Sequence, residues 1–66
     1  MTKTQILKEI KRLENLIYIK NGLEPLDLNK YNWELCLRLQ RRTKNQLLEQ
    51  LENVKTKCNK MGVDIF

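Results

Sequence analysis

The sequence predicts an all-α protein, and three observations carry that prediction. Apolar residues recur every three or four positions in two stretches, which is the spacing that places them along one helix face. Each stretch is followed by a glycine, the residue that most readily adopts the left-handed conformation after a helix. The second stretch, from Asn29 to Met61, contains neither glycine nor proline over 33 residues. We therefore expect two helices joined by a turn.

The first helix is expected over residues 2–20. Thr2 and Gln5 are spaced as in a capping box, in which each side chain bonds the backbone amide of the other residue. Apolar residues then follow at steps of four and three: Ile6, Ile10, Leu13 and Ile17. The helix should end before Gly22, and residues 21–28 should form a turn packed by leucines.

A long second helix over residues 29–61 is the favoured prediction, with residues 62–66 as a C-terminal tail. Its apolar face is interrupted by the polar residues 40–46. Because this segment contains no glycine or proline, we favour a continuous helix. A break near Thr43 is the alternative, since Thr43 and Gln46 fit a second capping box directly before the apolar spacing resumes.

About half of such a long helix would lack a partner, because the first helix is only about half its length. The apolar seam on that half is expected to mediate self-association, and it comprises Leu47, Leu51, Val54, Cys58 and Met61. Exposed contiguous apolar surface on this scale usually marks an interaction site. We therefore expect a helical hairpin with a long second helix, paired into a dimeric helical bundle. A three-helix bundle with a break near Thr43 would instead bury the same residues within one chain.

Size and composition narrow the class of protein further. The 66 residues are enough for one small helical domain, residues 1–66, and a chain of this length gains much from oligomerisation. The first residues lack the apolar core of a secretory signal, and no apolar run is long enough to span a bilayer. We therefore expect a cytoplasmic protein that does not enter membranes.

Catalytic chemistry is not expected. The chain contains no histidine, so the usual general base near neutral pH is missing. Cys36 and Cys58 fall on the apolar face, and their separation does not match the spacing of a zinc site. With two glycines in all, the chain has no glycine-rich phosphate loop. We expect no enzyme activity, no metal and no cofactor.

A basic cluster is the most specific polar feature of a chain whose net charge is +5. It comprises Arg38, Arg41, Arg42 and Lys44. In a continuous helix the three arginines would share one face, and arginine presents a planar fork suited to phosphate oxygens. The cluster is therefore a candidate DNA or RNA contact. The nearby Trp33 is expected to pack on the Ile10–Ile17 face of the first helix instead of stacking on bases, and Tyr31 is expected to rim the same cluster with its hydroxyl in water.

The tail Gly62-Val63-Asp64-Ile65-Phe66 resembles the pentapeptide with which bacterial replication proteins dock onto the sliding clamp, Gln-Leu-(Ser/Asp)-Leu-Phe. Asp64 and Phe66 match its third and fifth positions. Val63 and Ile65 stand in place of its leucines, and Gly62 in place of its glutamine. The resemblance implies a docking tail that binds a larger protein.

These observations predict a small non-catalytic regulator or adaptor that acts by protein–protein association. Its expected partners are a second copy of the chain and a larger protein. The alternative is a regulatory protein that binds DNA or RNA through the basic cluster.

Overall fold

A computed structural model describes residues 1–65 as three helices joined by irregular segments. Helix α1 spans Lys3–Lys20, α2 spans Trp33–Leu39 and α3 spans Lys44–Met61. No strand occurs among the described residues, and the predicted all-α fold is confirmed. Within the same part of the chain, no helix is both long enough and apolar enough to cross a membrane.

Helix α1 begins and ends where the sequence predicts. The amide of Thr2 donates to Gln5 Oε1 at 2.8 Å, and the amide of Gln5 donates to Thr2 Oγ1 at 3.2 Å. These two bonds form the predicted capping box. At the other end, Gly22 has a positive φ of 75°. This conformation lets the amide of Leu23 donate to the carbonyl of Tyr18 at 2.8 Å and so close the last turn.

The continuous helix over residues 29–61 is wrong, because the chain leaves helical geometry after Leu39 and re-enters it at Lys44. The backbone is extended at Gln40 and again at Thr43. Thr43 forms the second capping box with Gln46. The amide of Gln46 donates to Thr43 Oγ1 at 3.2 Å, and the amide of Thr43 donates to Gln46 Oε1 at 2.9 Å. The break near Thr43, the alternative reading of the sequence, is what the structure contains.

The core forms where α1 packs against α3. Its buried members are Ile6, Ile10, Leu13, Ile17, Leu47, Leu51 and Cys58. Val54 and Met61 are half-buried against the same cluster. The seam predicted for self-association is therefore packed within one chain, which corrects that assignment. Pairing of chains into a dimer stays a prediction.

Burial explains why the helix breaks. Ending a helix and starting another gives up several backbone hydrogen bonds, each with a net contribution of about 1 kcal/mol. The capping box at Thr43 replaces two of them. Folding α3 back onto α1 buries Leu47, Leu51 and Cys58, and each leucine removed from water contributes about 1.5–3 kcal/mol. Burial of the seam outweighs helix continuity.

The segment between α1 and α2 is longer than predicted, since α2 begins at Trp33 with Asn32 as its N-cap. The Asn32 side chain accepts from the amide of Leu35 at 3.0 Å. Earlier in the segment, Leu26 is bonded to the side chain of Asn15 in α1. The Asn15 side chain donates to the carbonyl of Leu26 and accepts from its amide, each at 3.0 Å. This paired amide contact ties the segment to α1 and positions α2 beside it.

Candidate interaction site

Helix α2 is the element with the least internal contact. It packs against α1 and not against α3, and none of its seven residues is buried. Leu35 is 50% exposed and Leu39 is 74% exposed. Residues four apart lie on the same helix face, so the two leucines form an exposed apolar pair, which we call the α2 leucine pair. The pair is a candidate docking surface.

The basic cluster surrounds the end of α2 but does not occupy one helix face, because the chain unwinds within it. Arg38 lies in α2, Arg41 and Arg42 lie in the extended segment, and Lys44 begins α3. All four residues are exposed. Arg38 pairs with Glu34 at 3.1 Å, and Arg42 Nη1 donates to Gln50 Oε1 at 2.6 Å. The predicted shared face of three guanidinium groups is therefore wrong, although the charges remain close along the chain.

The aromatic pair lies elsewhere than predicted. Tyr31 and Trp33 are half-buried and are not members of the core cluster. Their rings meet edge to face, with centroids 4.8 Å apart. The ammonium groups of Lys8 and Lys11 lie 5.7 Å from the Trp33 centroid and 5.9 Å from the Tyr31 centroid, respectively. The pair thus packs on the charged side of α1, where cation–π contacts replace aliphatic ones.

A surface groove of about 480 Å³ runs beside Trp33. Lys8 and Arg12 of α1 line one part of it, and Gln5 and Asn29 contribute amide groups. This volume lies within the range of about 300–1,000 Å³ that is common for small-molecule sites. The groove combines an aromatic ring, two cations, two amides and the carboxylate of Glu9, and we call it the Trp33 groove.

Arg12 links α1 to the chain that follows α3. Its guanidinium forms an ion pair with Glu9 and also donates to the backbone carbonyl of Ile65 at 3.2 Å. Hydrogen bonding by Arg12 lowers the pKa of the Glu9 carboxyl below its ordinary value, although partial burial acts in the opposite direction. The contact fixes residue 65 beside the middle of α1.

The predicted docking tail is packed against the core over its described part. Gly62 adopts a φ of 72°, and the amide of Val63 donates to the carbonyl of Cys58 at 2.9 Å. Val63 and Ile65 are half-buried against the core cluster, while Asp64 is exposed. Phe66 lies outside the described residues. The tail up to Ile65 therefore completes the fold in this conformation.

Both cysteines are free, and they differ in burial. Cys58 is buried, with its Sγ 4.0 Å from the carbonyl oxygen of Leu13, and Cys36 is half-buried. Tyr31 donates its hydroxyl to Cys36 Sγ at 3.4 Å, and this bond raises the pKa of the Tyr31 hydroxyl. Among residues 1–65, no group of three or more side chains is arranged to hold a metal ion.

Neither the α2 leucine pair nor the Trp33 groove was predicted from the sequence. The expectation of one long helix placed Trp33 against the first helix and gave no role to Leu35 or Leu39. The capping-box pattern at Thr43 was the signal that pointed to a short α2. Comparisons give no further guidance, because no family model, no curated protein and no solved structure matches this chain.

Proposed function

We propose that this protein is a small non-catalytic regulator or adaptor that acts by binding another protein through α2. The observation that carries the proposal is the exposure of the α2 leucine pair. Leu35 and Leu39 stand one helical turn apart on a helix with no buried residue. A partner that covers them would remove apolar surface from water, which is a main source of affinity in protein association.

Charge narrows the chemistry of the partner. The basic cluster flanks Leu39, and no ion pair among residues 1–65 includes Arg41, Arg42 or Lys44. A partner surface with apolar residues and a rim of carboxylates would complement both features. A second copy of the chain would bring like charges together at this face. We therefore favour a different, acidic protein over self-association through α2.

DNA or RNA binding is the second candidate, and the same unpaired cations favour it. Arg41 and Lys44 are exposed and have no acidic partner among the described residues, so a phosphate would meet little competition from protein carboxylates. Binding of this kind would fall steeply with salt and would tolerate loss of the leucines. Salt dependence and leucine dependence therefore separate the two candidates.

The test compares a double variant, Leu35→Ser with Leu39→Ser, against the matched control Leu23→Ser. Leu23 is 57% exposed and lies in the turn after α1, so its replacement exchanges one exposed leucine for serine without touching α2. Each chain is immobilised in turn. The wild type and the control should capture the same protein, and the double variant should not. Capture that is identical for all three chains would contradict the proposal.

Light scattering on the reduced protein, at low and at high salt, tests the oligomeric state. We expect a monomer, because the seam predicted for self-association is packed against α1. A dimer that the double variant abolishes would overturn the choice of a different protein as partner. Retained nucleic acid that disappears with Arg41→Glu and Arg42→Glu would support the second candidate instead.

A further inference from the structure

The position of Trp33 is unexpected for a chain this small. Trp33 is the single tryptophan of the sequence, and a 66-residue chain has few large apolar side chains with which to build a core. It nevertheless lies outside the core cluster and lines a surface groove. A half-buried tryptophan at the wall of a groove is typical of a binding site, because its ring supplies a large rigid contact surface.

Positive charge lies directly beside this ring. Lys8 is exposed, and its ammonium group contacts the ring of Trp33 while no ion pair among residues 1–65 includes it. Arg12 and Glu9 also line the groove, but they form an ion pair with each other, and Arg12 further donates to the carbonyl of Ile65. Lys8 is therefore the cation best able to exchange its contact with the ring for an anionic group. A phosphate is the anion that an aromatic and basic site of this kind usually binds.

The groove also offers hydrogen-bonding groups of the correct type for a base. Gln5 and Asn29 line it, and their amides can both donate and accept. The Gln5 oxygen accepts from the amide of Thr2 in the capping box, which holds this side chain in place at the groove. Glutamine and asparagine amides are common partners of base edges.

We propose that the Trp33 groove binds a nucleobase that carries a phosphate. The base stacks on Trp33, and the phosphate pairs with Lys8. Either a free nucleotide or single-stranded nucleic acid can present this chemistry, whereas a duplex keeps its bases stacked and out of reach. The proposed site contains neither leucine of the α2 pair and no residue of the basic cluster, so it stands or falls independently of the proposed function.

The fluorescence of Trp33 provides a direct measurement, because no other tryptophan contributes to the signal. The probes are adenosine monophosphate, an oligodeoxyadenylate of about ten nucleotides, and a sugar phosphate that lacks a base. We expect saturable quenching by the first two probes and none by the third. Tighter binding of the oligonucleotide would identify single-stranded nucleic acid as the source, and equal binding would identify the free nucleotide.

Matched variants locate the contact. Lys8→Gln should weaken binding of the oligonucleotide and reduce the slope of its salt dependence by about one, whereas Lys60→Gln, an exposed lysine of α3 outside the groove, should not. Trp33→Leu, followed by the anisotropy of a labelled oligonucleotide, should weaken binding about fivefold or more through lost stacking. Circular dichroism checks that each variant keeps its helices.

Three results would overturn the proposal. The first is no quenching by either nucleotide probe, and the second is equal quenching by the sugar phosphate. The third is an equal loss of affinity in Lys8→Gln and Lys60→Gln, which would indicate attraction by net charge alone. If Arg41→Gln with Arg42→Gln abolished quenching by adenosine monophosphate, the contact would belong to the basic cluster and the groove assignment would also fail.

Discussion

Helices α1 and α3 are alike in their design but differ in their surroundings. Each has 18 residues, each begins with a threonine–glutamine capping box, and each is followed by a glycine at positive φ. Their apolar positions coincide when the sequence is shifted by 41 residues. The matched pairs are Ile6 with Leu47, Ile10 with Leu51, Leu13 with Val54, and Ile17 with Cys58. The two helices thus repeat one pattern and bury it against each other.

The difference appears one position further along each helix. Leu7 is 1% exposed, whereas its counterpart Leu48 is 36% exposed. Helix α1 is central, since both α2 and α3 pack against it, while α3 packs against α1 alone. The local sequence Gln-Ile-Leu in α1 and Gln-Leu-Leu in α3 is nearly the same. The comparison teaches that the copy of the pattern on the helix with two neighbouring helices is the one fully buried at this position.

The largest expected effect comes from truncating these two matched leucines. Leu7→Ala should lower the free energy of unfolding by about 2–5 kcal/mol, because it leaves a cavity in a buried site. Leu48→Ala should lower it by less than about 1 kcal/mol. Since a core of this size supplies only about 3–5 kcal/mol in all, Leu7→Ala should be largely unfolded. Urea denaturation followed by circular dichroism measures both, and equal losses would contradict the central position of α1.

The same two helices differ in how well the local sequence predicts them. Helix α1 could be predicted from its capping box, its spacing and Gly22, since all three signals are local. The start of α3 carried an equally good local signal at Thr43, but its weight against a continuous helix depended on burial across the whole chain. No local sequence pattern predicts that Leu47, Leu51 and Cys58 will pack against α1.

The candidate sites were harder to predict for the same reason. Trp33 was expected to pack on the Ile10–Ile17 face of α1, because a continuous helix places it in line with Leu37. The break after Leu39 gives the core to α3 instead, and α2 is left on the charged side of α1 with Lys8 and Lys11. The exposure of Leu39 has the same cause. Helix α2 ends at Leu39, and α3 packs against α1 and not against α2. Because the end of α2 was wrongly predicted, the positions of Trp33 and Leu39 were wrongly predicted as well.

The glycines that follow α1 and α3 sharpen the comparison by testing a feature in which the helices agree. Gly22 and Gly62 have φ of 75° and 72°, and a Cβ added at either would meet no atom within 4 Å. Replacement by alanine should therefore act through backbone conformation alone and cost about 1–2 kcal/mol at each position. Thermal unfolding of Gly22→Ala and Gly62→Ala should show similar losses. A loss at only one of them would mean that the two helix ends are not equivalent.

The capping threonines test the break itself. Thr2→Ala and Thr43→Ala should each lower the free energy of unfolding by about 0.5–2 kcal/mol, because each removes a bond to a helix N-terminus. If residues 29–61 formed a continuous helix, Thr43 would lie in its interior and alanine would instead stabilise it. The change in the free energy of unfolding caused by Thr43→Ala therefore has opposite signs for the two structures, and chemical denaturation measures it. Thr56→Ala, within α3, gives the reference for a helix interior.

The smallest expected effect concerns a charge that α1 has and α3 lacks. Glu9 pairs with Arg12, whereas the matched position in α3 is the neutral Gln50. Because Arg12 lowers the pKa of Glu9 in the folded chain, the folded state binds this proton less readily than the unfolded state does. The resulting stability is present above the ordinary glutamate pKa of about 4.3 and is lost as the pH falls through the lower, folded value.

Glu9→Gln makes α1 resemble α3 at this position and should flatten the decline of stability in acid. Urea midpoints measured between about pH 6 and about pH 3 give the slope for each variant. Glu49→Gln is the matched control, since no ion pair among residues 1–65 includes Glu49. It also lies on the exposed surface of α3. A slope that Glu49→Gln changes as much as Glu9→Gln would assign the acid sensitivity to overall charge. A selective change at Glu9 would show that Arg12, which also holds the carbonyl of Ile65, stabilises α1 in a way that α3 does not share.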